Sequence, residues 1–270
     1  MEQLYQKYET LKNCLVSLKR VLIAFSGGVD STFLVKVAVD TLGRENVLAV
    51  TACSSTYPSR EREEAVNFAK QGHILHDVIT SEELDIPEFR NNPINRCYFC
   101  KKELFGKLKQ LAESKGYNYV ADGSNLDDNL DFRPGQQAAR ELGVVSPLRE
   151  AGLTKDEIRG LSKELGLSTW NKPALACLSS RFPYGESISE GKLRAVEEAE
   201  NFLKDLGFRQ LRVRHHGNIA RIELEAAESP RLFANGLSLK IINKLKNLGF
   251  TYVTLDLEGY RTGSMNEVLK

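Results

Sequence analysis

The sequence predicts an α/β protein: a doubly wound parallel sheet that carries a small C-terminal α+β domain. Strand-length apolar runs alternate with segments of helical period through the first two thirds of the chain, and the links between them are short. A glycine turn, Ala24-Phe25-Ser26-Gly27-Gly28-Val29-Asp30-Ser31, joins the first apolar run to an amphipathic helix. Beyond Tyr184-Gly185 the order changes to helix, strand, strand, helix, strand, so the expected domains are 1–184 and 185–270.

The elements follow in order. Residues 1–20 read as a helix with Leu4, Leu11, Leu15 and Leu18 toward the core, and Cys14 sits in that pattern as a small hydrophobe. Val21–Phe25 is the first strand. Phe33, Leu34, Val37, Ala38 and Leu42 recur at helical spacing behind the glycine turn, and Gly43 stops that helix. Val47–Ala52 is a second, buried strand, with Cys53 packed at its end. Ser59 caps a helix to Lys70, and His73–Ile79 is a third strand in which neither His73 nor His76 has a partner at metal-binding spacing. After the irregular stretch Glu82–Asn95, the pair Cys97-x-x-Cys100 precedes a helix running to about Lys115. Tyr119–Asp122 is a fourth strand, followed by the polar loop Gly123–Asn129, and Val144–Leu148 is a fifth. Thr154 and Glu157 form a capping-box pattern for a helix to Leu165. In the second domain a charged helix spans Ile188–Leu206, with Leu193, Val196, Ala199 and Leu203 as its stripe. Phe208–His215 and Asn218–Glu225 form a hairpin, a helix follows at Ser238–Leu248 and a strand at Tyr252–Leu257, and Thr262–Lys270 is expected to be mobile.

Composition bounds the function. The chain has 270 residues, 41% hydrophobic and 27% charged, with 37 basic and 36 acidic side chains and a net charge of +1. That balance supplies no global attraction for a polyanion. No apolar run approaches the ~20 residues of a membrane helix. The first 20 residues read as a charged helix rather than a signal peptide, so a cytoplasmic location is expected. Five cysteines, Cys14, Cys53, Cys97, Cys100 and Cys177, make an odd count that argues against a disulfide framework.

The glycine turn is where chemistry enters. A strand, a flexible turn and a helix N-terminus present free N–H groups and the positive end of a helix dipole to an anion. The string Ser26-Gly27-Gly28-Val29-Asp30-Ser31 matches neither the Walker pattern nor the dinucleotide fingerprint. It resembles the Ser-Gly-Gly-x-Asp-Ser pyrophosphate loop (PP-loop) of the ATP pyrophosphatases, enzymes of the adenine nucleotide alpha hydrolase-like fold that split ATP between its α- and β-phosphates. The expected ATP contacts are Ala24, Ser26, Gly27, Gly28, Asp30 and Ser31, with Thr51 and Gly123 at the carboxyl edge of neighbouring strands. Asp30 is the candidate Mg²⁺ ligand, and Asp127-Asp128 are a weaker alternative, because hard cations take carboxylate oxygens.

Cys97 and Cys100 admit three readings: a redox pair, half a zinc site, or two ligands of an iron–sulfur site completed by Cys177. The redox reading lacks the surrounding fold pattern, and zinc lacks a second pair. Three thiolates would leave one iron of a [4Fe–4S] cluster open. Cys177 lies in the block Lys172-Pro173-Ala174-Leu175-Ala176-Cys177-Leu178-Ser179-Ser180-Arg181. Arg212 and Arg214 alternate on a predicted strand and share a face, where guanidinium groups suit phosphate. Arg221 and Glu223 share a face of the next strand, and Glu200 lies on the preceding helix.

With these residues in view, the chain resembles the LarE family, ATP-dependent sulfur insertases of nickel-pincer nucleotide biosynthesis. The resemblance runs from Phe25–Ser31 through Asp122-Gly123-Ser124-Asn125, Asp131-Phe132-Arg133-Pro134-Gly135 and Ala176–Arg181 to Glu190–Glu200 and Arg212-Val213-Arg214. It implies the substrate pyridinium-3,5-biscarboxylic acid mononucleotide, whose carboxylates are adenylated and then converted to thiocarboxylates. It assigns Ser180, Arg181, Arg212 and Arg214 to the substrate's phosphate. Glu200 and Glu223 are candidates for the substrate cleft; a solvated or ion-paired role is the alternative for Glu200, and pairing with Arg221 for Glu223. Some members of the family sacrifice the sulfur of a cysteine at the Cys177 position. Others carry three cysteines and a [4Fe–4S] cluster, and Cys97, Cys100 and Cys177 place this chain with the cluster type, which needs sulfide or another sulfur donor. The family also implies a homo-oligomer. Two rivals stand beside it: a tRNA thiolation enzyme and a non-catalytic ATP-binding module.

Overall fold

The computed structural model describes residues 2–81, 83–130, 134–174 and 176–269. The chain divides into two compact units, Met1–Phe89 with Asn95–Leu175, and Arg90–Ile94 with Ala176–Lys270. The division thus falls before the expected 184/185 boundary, and a short internal segment crosses over. The reason is local hydrogen bonding: Gly185 N donates to Asn92 O, Ile188 N donates to Arg90 O, and the buried Asn92 amide donates to Pro183 O.

The first unit is built on four parallel strands, β1 (Val21–Ala24), β2 (Val47–Cys53), β3 (Leu75–Thr80) and β4 (Tyr119–Ala121), in the order β3-β2-β1-β4. Its helices are α1 (Glu2–Leu18), α2 (Val29–Leu42), α3 (Ser59–Gln71), α4 (Pro87–Arg90, whose last residue belongs to the second unit), α5 (Arg96–Ser114), α6 (Gly135–Glu141), α7 (Pro147–Glu150) and α8 (Lys155–Glu164). Side chains alternate along β1, so Val21 and Ile23 enter one core and Leu22 the other. The first core packs α1, α2 and α8 through Leu11, Leu15, Phe33, Leu34, Ile158 and Leu161. The second packs α5 and α6 through Phe105, Leu108, Ala112 and Ala139. Covering both faces of a parallel sheet is what its apolar strands require.

Several local expectations change. The fifth strand shrinks to one bridge, Ala121 with Val145, because Pro147 has no N–H for a ladder and instead starts α7. Ser59 is the first helical residue, and Pro58 takes the cap position. His73 adopts φ +51, so the third strand starts only at Leu75. Cys97 and Cys100 lie within the first five residues of α5 rather than ahead of it.

The second unit packs α9 (Glu190–Asp205) on a sheet of β5 (Leu211–His216), β6 (Ile219–Leu224) and β7 (Tyr252–Leu255), with α10 (Leu237–Asn247) between the last two strands in sequence. β5 and β6 form the expected antiparallel hairpin, turning at Gly217 with φ +61, and β7 runs parallel to β6. Leu193, Val196, Ala199 and Leu203 are buried as their spacing predicts. The chain end is not loose at Ser264: a short 3₁₀ helix spans Ser264–Leu269, and Ser264 is buried. Among the described residues no helix is long and apolar enough to cross a membrane.

The capping box on α8 is complete: Glu157 N donates to Thr154 Oγ1 at 3.3 Å and Thr154 N donates to Glu157 Oε2 at 2.9 Å. Thr154→Ala is expected to cost about 1 kcal/mol of stability, read from a urea midpoint, while Thr154→Ser stays near wild type.

Candidate active site

At the carboxyl end of β1 the chain leaves the sheet and turns into α2. Phe25 N still pairs with Val50 O at 2.8 Å, the last tie to β2. Ser26 then meets Ser31 twice, through N to Oγ at 3.2 Å and between hydroxyls at 3.1 Å. Gly27 has φ +62, and a Cβ there would lie 2.9 Å from Ala65 Cβ on α3. Both the backbone conformation and the close approach therefore require glycine. Gly28 is extended and caps α2 without a side chain, and its carbonyl accepts from Thr32 N at 3.0 Å. Among the described residues, neither Gly27 nor Gly28 donates its N–H to a protein group. Gly123 closes the turn from β4, where a Cβ would stand 3.0 Å from Ser31 N. Ala24, Ser26, Gly27, Gly28, Asp30, Ser31 and Gly123 thus gather at one sheet edge, an arrangement that suits an anion.

Thr51 does not join them through its side chain. It is fully buried, donates to Phe25 O at 2.8 Å and meets His76 Nε2 at 2.9 Å, so it braces β2 against the start of the turn. Cys53 packs at the strand end as expected and accepts from Arg62 Nη1.

Asp30 stands on the first turn of α2, where its charge favours the helix dipole. Lys155 Nζ is ion-paired with its Oδ2, and Asn125 Nδ2 donates to its Oδ1 at 3.3 Å. The acidic loop supports this arrangement rather than competing with it: Asp127 Oδ2 accepts from Lys155 N and Asp128 Oδ2 from Asn125 N. Sequence reasoning missed Lys155. Its one signal is that a lysine in the first position of a helix opposes the dipole and so needs a local anion. Once released from Lys155, the Asp30 carboxylate beside this turn would suit Mg²⁺, which takes its other ligands from phosphates and water. Asp131, Phe132 and Arg133 lie outside the described residues.

Cys97 and Cys100 are half-buried on one turn of α5, at a spacing that puts both on one face. Cys177 is exposed and belongs to the second unit. Among the described residues, no three His, Cys, Asp or Glu side chains are grouped to hold a metal ion. Cys177 opens a short 3₁₀ turn, Leu178–Arg181, whose support is Arg181. Arg181 Nη1 donates to Ala176 O at 2.8 Å and Cys177 O at 2.9 Å. Its Nε and Nη2 form a bidentate pair with Glu200, both bonds 2.8 Å, and both side chains are buried. Glu200 Oε1 also accepts from Val213 N at 3.0 Å. Burial alone would raise the Glu200 carboxyl, but Arg181 and its hydrogen bonds outweigh this and hold it below its ordinary value. Arg181 and Glu200, expected at the substrate, are therefore committed to fixing the Cys177 turn to α9 and β5.

Arg212 and Arg214 share a face of β5 as predicted, and both are buried. Arg212 lies over the Tyr260 ring at 5.2 Å, and burial followed by the neighbouring Arg181 lowers its pKa. Arg214 Nη1 donates to Ser180 O at 3.1 Å, and its Nη2 pairs with Glu223 Oε2 at 2.7 Å. Glu223 is fully buried. Its other oxygen meets Arg221 at 3.2 Å and accepts from Ser264 Oγ at 2.9 Å. Arg221 and Glu223, which share a face of β6, are paired, and Glu223 is enclosed by protein donors rather than open to a cleft. Arg214 Nε is buried and has no partner among the described residues.

Glu200→Gln keeps the shape and removes the charge that compensates buried Arg181. The expected loss is about 3–5 kcal/mol in a urea titration at neutral pH, and an unchanged midpoint would contradict the assignment. The sign with pH follows from the depressed Glu200 value. Its contribution is present above the ordinary carboxyl range and is lost as pH falls through the lower folded value, and Glu200→Gln abolishes that acid-dependent part.

Comparison with known proteins places this geometry in a family. The NAD synthase family profile matches residues 7–88, the segment that carries β1, the glycine turn, α2, β2 and α3. An uncharacterized Synechocystis protein is 49% identical over 267 residues, covering 98% of this chain and 99% of the relative. An uncharacterized protein of Methanocaldococcus jannaschii is 32% identical over 246 residues, 90% of this chain and 92% of the relative. The pyridinium-3,5-bisthiocarboxylic acid mononucleotide synthase of Lactiplantibacillus plantarum is 42% identical over 270 residues, 100% of this chain and 97% of that enzyme. At that identity and coverage, the chain belongs to the LarE family of PP-loop proteins, the family of that synthase.

Proposed function

We propose that this protein is an ATP-dependent sulfur insertase acting on pyridinium-3,5-biscarboxylic acid mononucleotide. The observation that carries the reading is the free-donor turn at Gly27 and Gly28, set in a chain that matches the synthase end to end. The turn and the α2 N-terminus bind the β- and γ-phosphates of ATP, and Asp30 holds Mg²⁺ among them once it releases Lys155. A substrate carboxylate oxygen attacks the α-phosphorus as the bond to the β-phosphate oxygen breaks, giving an acyl adenylate and pyrophosphate. A sulfur nucleophile then adds to the acyl carbon and AMP leaves with the former carboxylate oxygen. Activation is needed because a carboxylate oxygen leaves poorly and AMP leaves well. Repetition on the second carboxylate gives the bisthiocarboxylate.

Arg212 and Arg214 are the proposed phosphate ligands of the substrate, helped by Ser180, while Arg181 positions the Cys177 turn. The donor set Cys97, Cys100 and Cys177 suits a [4Fe–4S] cluster, with two thiols already on one helical turn, and such a cluster when bound would supply sulfide for transfer. A second reading, Cys177 itself as sacrificial sulfur donor, is favoured by the exposure of Cys177 on a turn anchored from beneath. The proposal places the enzyme in the cytoplasm as a homo-oligomer.

Anaerobic purification with iron and sulfide analysis separates the two sulfur sources. The cluster reading expects stoichiometric iron that is lost on Cys97→Ala, Cys100→Ala or Cys177→Ala. The sacrificial reading expects no iron and the mass of H₂S missing from Cys177 after turnover. Absence of AMP and pyrophosphate formation with the dicarboxylate substrate, or tight salt-sensitive tRNA binding, would overturn the reaction itself. Arg212→Ala is expected to weaken substrate binding about tenfold or more with ATP affinity retained, as for a lost charge-assisted hydrogen bond.

A further inference from the structure

Two side chains far apart in sequence converge on consecutive carbonyls of the phosphate turn. Tyr57 Oη donates to Ser26 O at 2.6 Å. Lys172 Nζ donates to Gly27 O at 3.2 Å. The lysine is itself steered by α3, with Glu61 Oε2 and Glu64 Oε2 each 2.6 Å from Nζ. Ala65, one helical turn beyond Glu61 on α3, is the residue that walls Gly27. Tyr57, the acidic start of α3, Ala65 and Lys172 thus form one bracket around the turn.

A peptide unit is planar and trans, so its C=O and N–H point in opposite directions. Holding the Ser26 carbonyl sets the direction of the Gly27 N–H, and holding the Gly27 carbonyl sets that of the Gly28 N–H. Among the described residues, these two donors find no protein acceptor. Glycines would otherwise let both peptide planes rotate at little cost. We infer that Tyr57 and Lys172 are positioning residues that aim the Gly27 and Gly28 N–H groups at the pyrophosphate moiety of ATP by anchoring the carbonyls behind them. Both groups are suited to steady donation. Burial pushes the Tyr57 hydroxyl well above its ordinary value, with Glu61 and Glu64 adding to the rise. For Lys172, burial acts downward, but the two carboxylates outweigh it and keep the ammonium charged.

The inference rests on the ATP-binding reading, and calorimetry on the full chain with Mg²⁺ tests the two separately. The probes are inorganic pyrophosphate, ATP and adenosine. Tyr57→Phe and Lys172→Met are each expected to weaken pyrophosphate and ATP about five- to tenfold and leave adenosine unchanged, the loss of one oriented donor. Lys172→Arg, which keeps a cationic donor, is expected to recover most of the pyrophosphate affinity. Tyr57→Phe preserves volume and keeps the test open should Lys172→Met fold poorly. Wild-type pyrophosphate affinity in Tyr57→Phe overturns the inference, even if Lys172→Met binds weakly, since Lys172 would then act on phosphate directly. A parallel loss of adenosine binding also overturns it, because that marks general damage. A wild-type chain that binds neither pyrophosphate nor ATP refutes the nucleotide reading beneath it.

Discussion

The first unit depends on one close approach, Gly27 against Ala65. It allows the chain to leave a buried strand, turn through a left-handed residue and start a helix within four positions. A side chain at Gly27 would push α3 away, and with it the residues around the turn. The turn's purpose is electrostatic. Among the described residues it leaves peptide donors unsatisfied at a helix N-terminus, which costs stability in the empty protein and suits the polyphosphate that the proposed function places there. The sheet bears this because both of its faces are closed by large apolar side chains.

Charge in this protein is placed in pairs rather than in a field. Asp30 with Lys155, and Lys172 with Glu61 and Glu64, set side chains beside the phosphate turn. In the second unit Arg181 with Glu200 and Arg214 with Glu223 are buried outright. Buried pairs are weak sources of net stability but strong determinants of geometry, since removing either partner strands a charge. Here the geometry they determine is that of the exposed Cys177 turn and of the two β5 arginines.

The outcome for the predicted site residues divides by how they act. Backbone contributors were legible: Ser26–Ser31 and Gly123 meet at one sheet edge because glycine pattern and strand order together allow little else. Side-chain roles were less so. Thr51, Arg181, Glu200 and Glu223 have internal partners that no local pattern announces, because those partners lie on other elements. Lys155 and Tyr57 carry no local signal as neighbours of the turn for the same reason. Boundaries moved where a single residue has a strong local preference, as at Pro147, Pro58 and His73.

The sequence by itself determined the parallel sheet, the glycine turn, the capping box of α8, the β5 arginine face and the family. Each of these is written in short-range periodicity or in a contiguous motif. Only the tertiary structure decided where the units divide, which carboxylates are consumed by internal arginines, and which side chains stand behind the phosphate turn. Those are contacts between residues tens of positions apart, such as Lys172 with Gly27. They exist only once the strands have ordered and the helices have packed, so no local pattern encodes them.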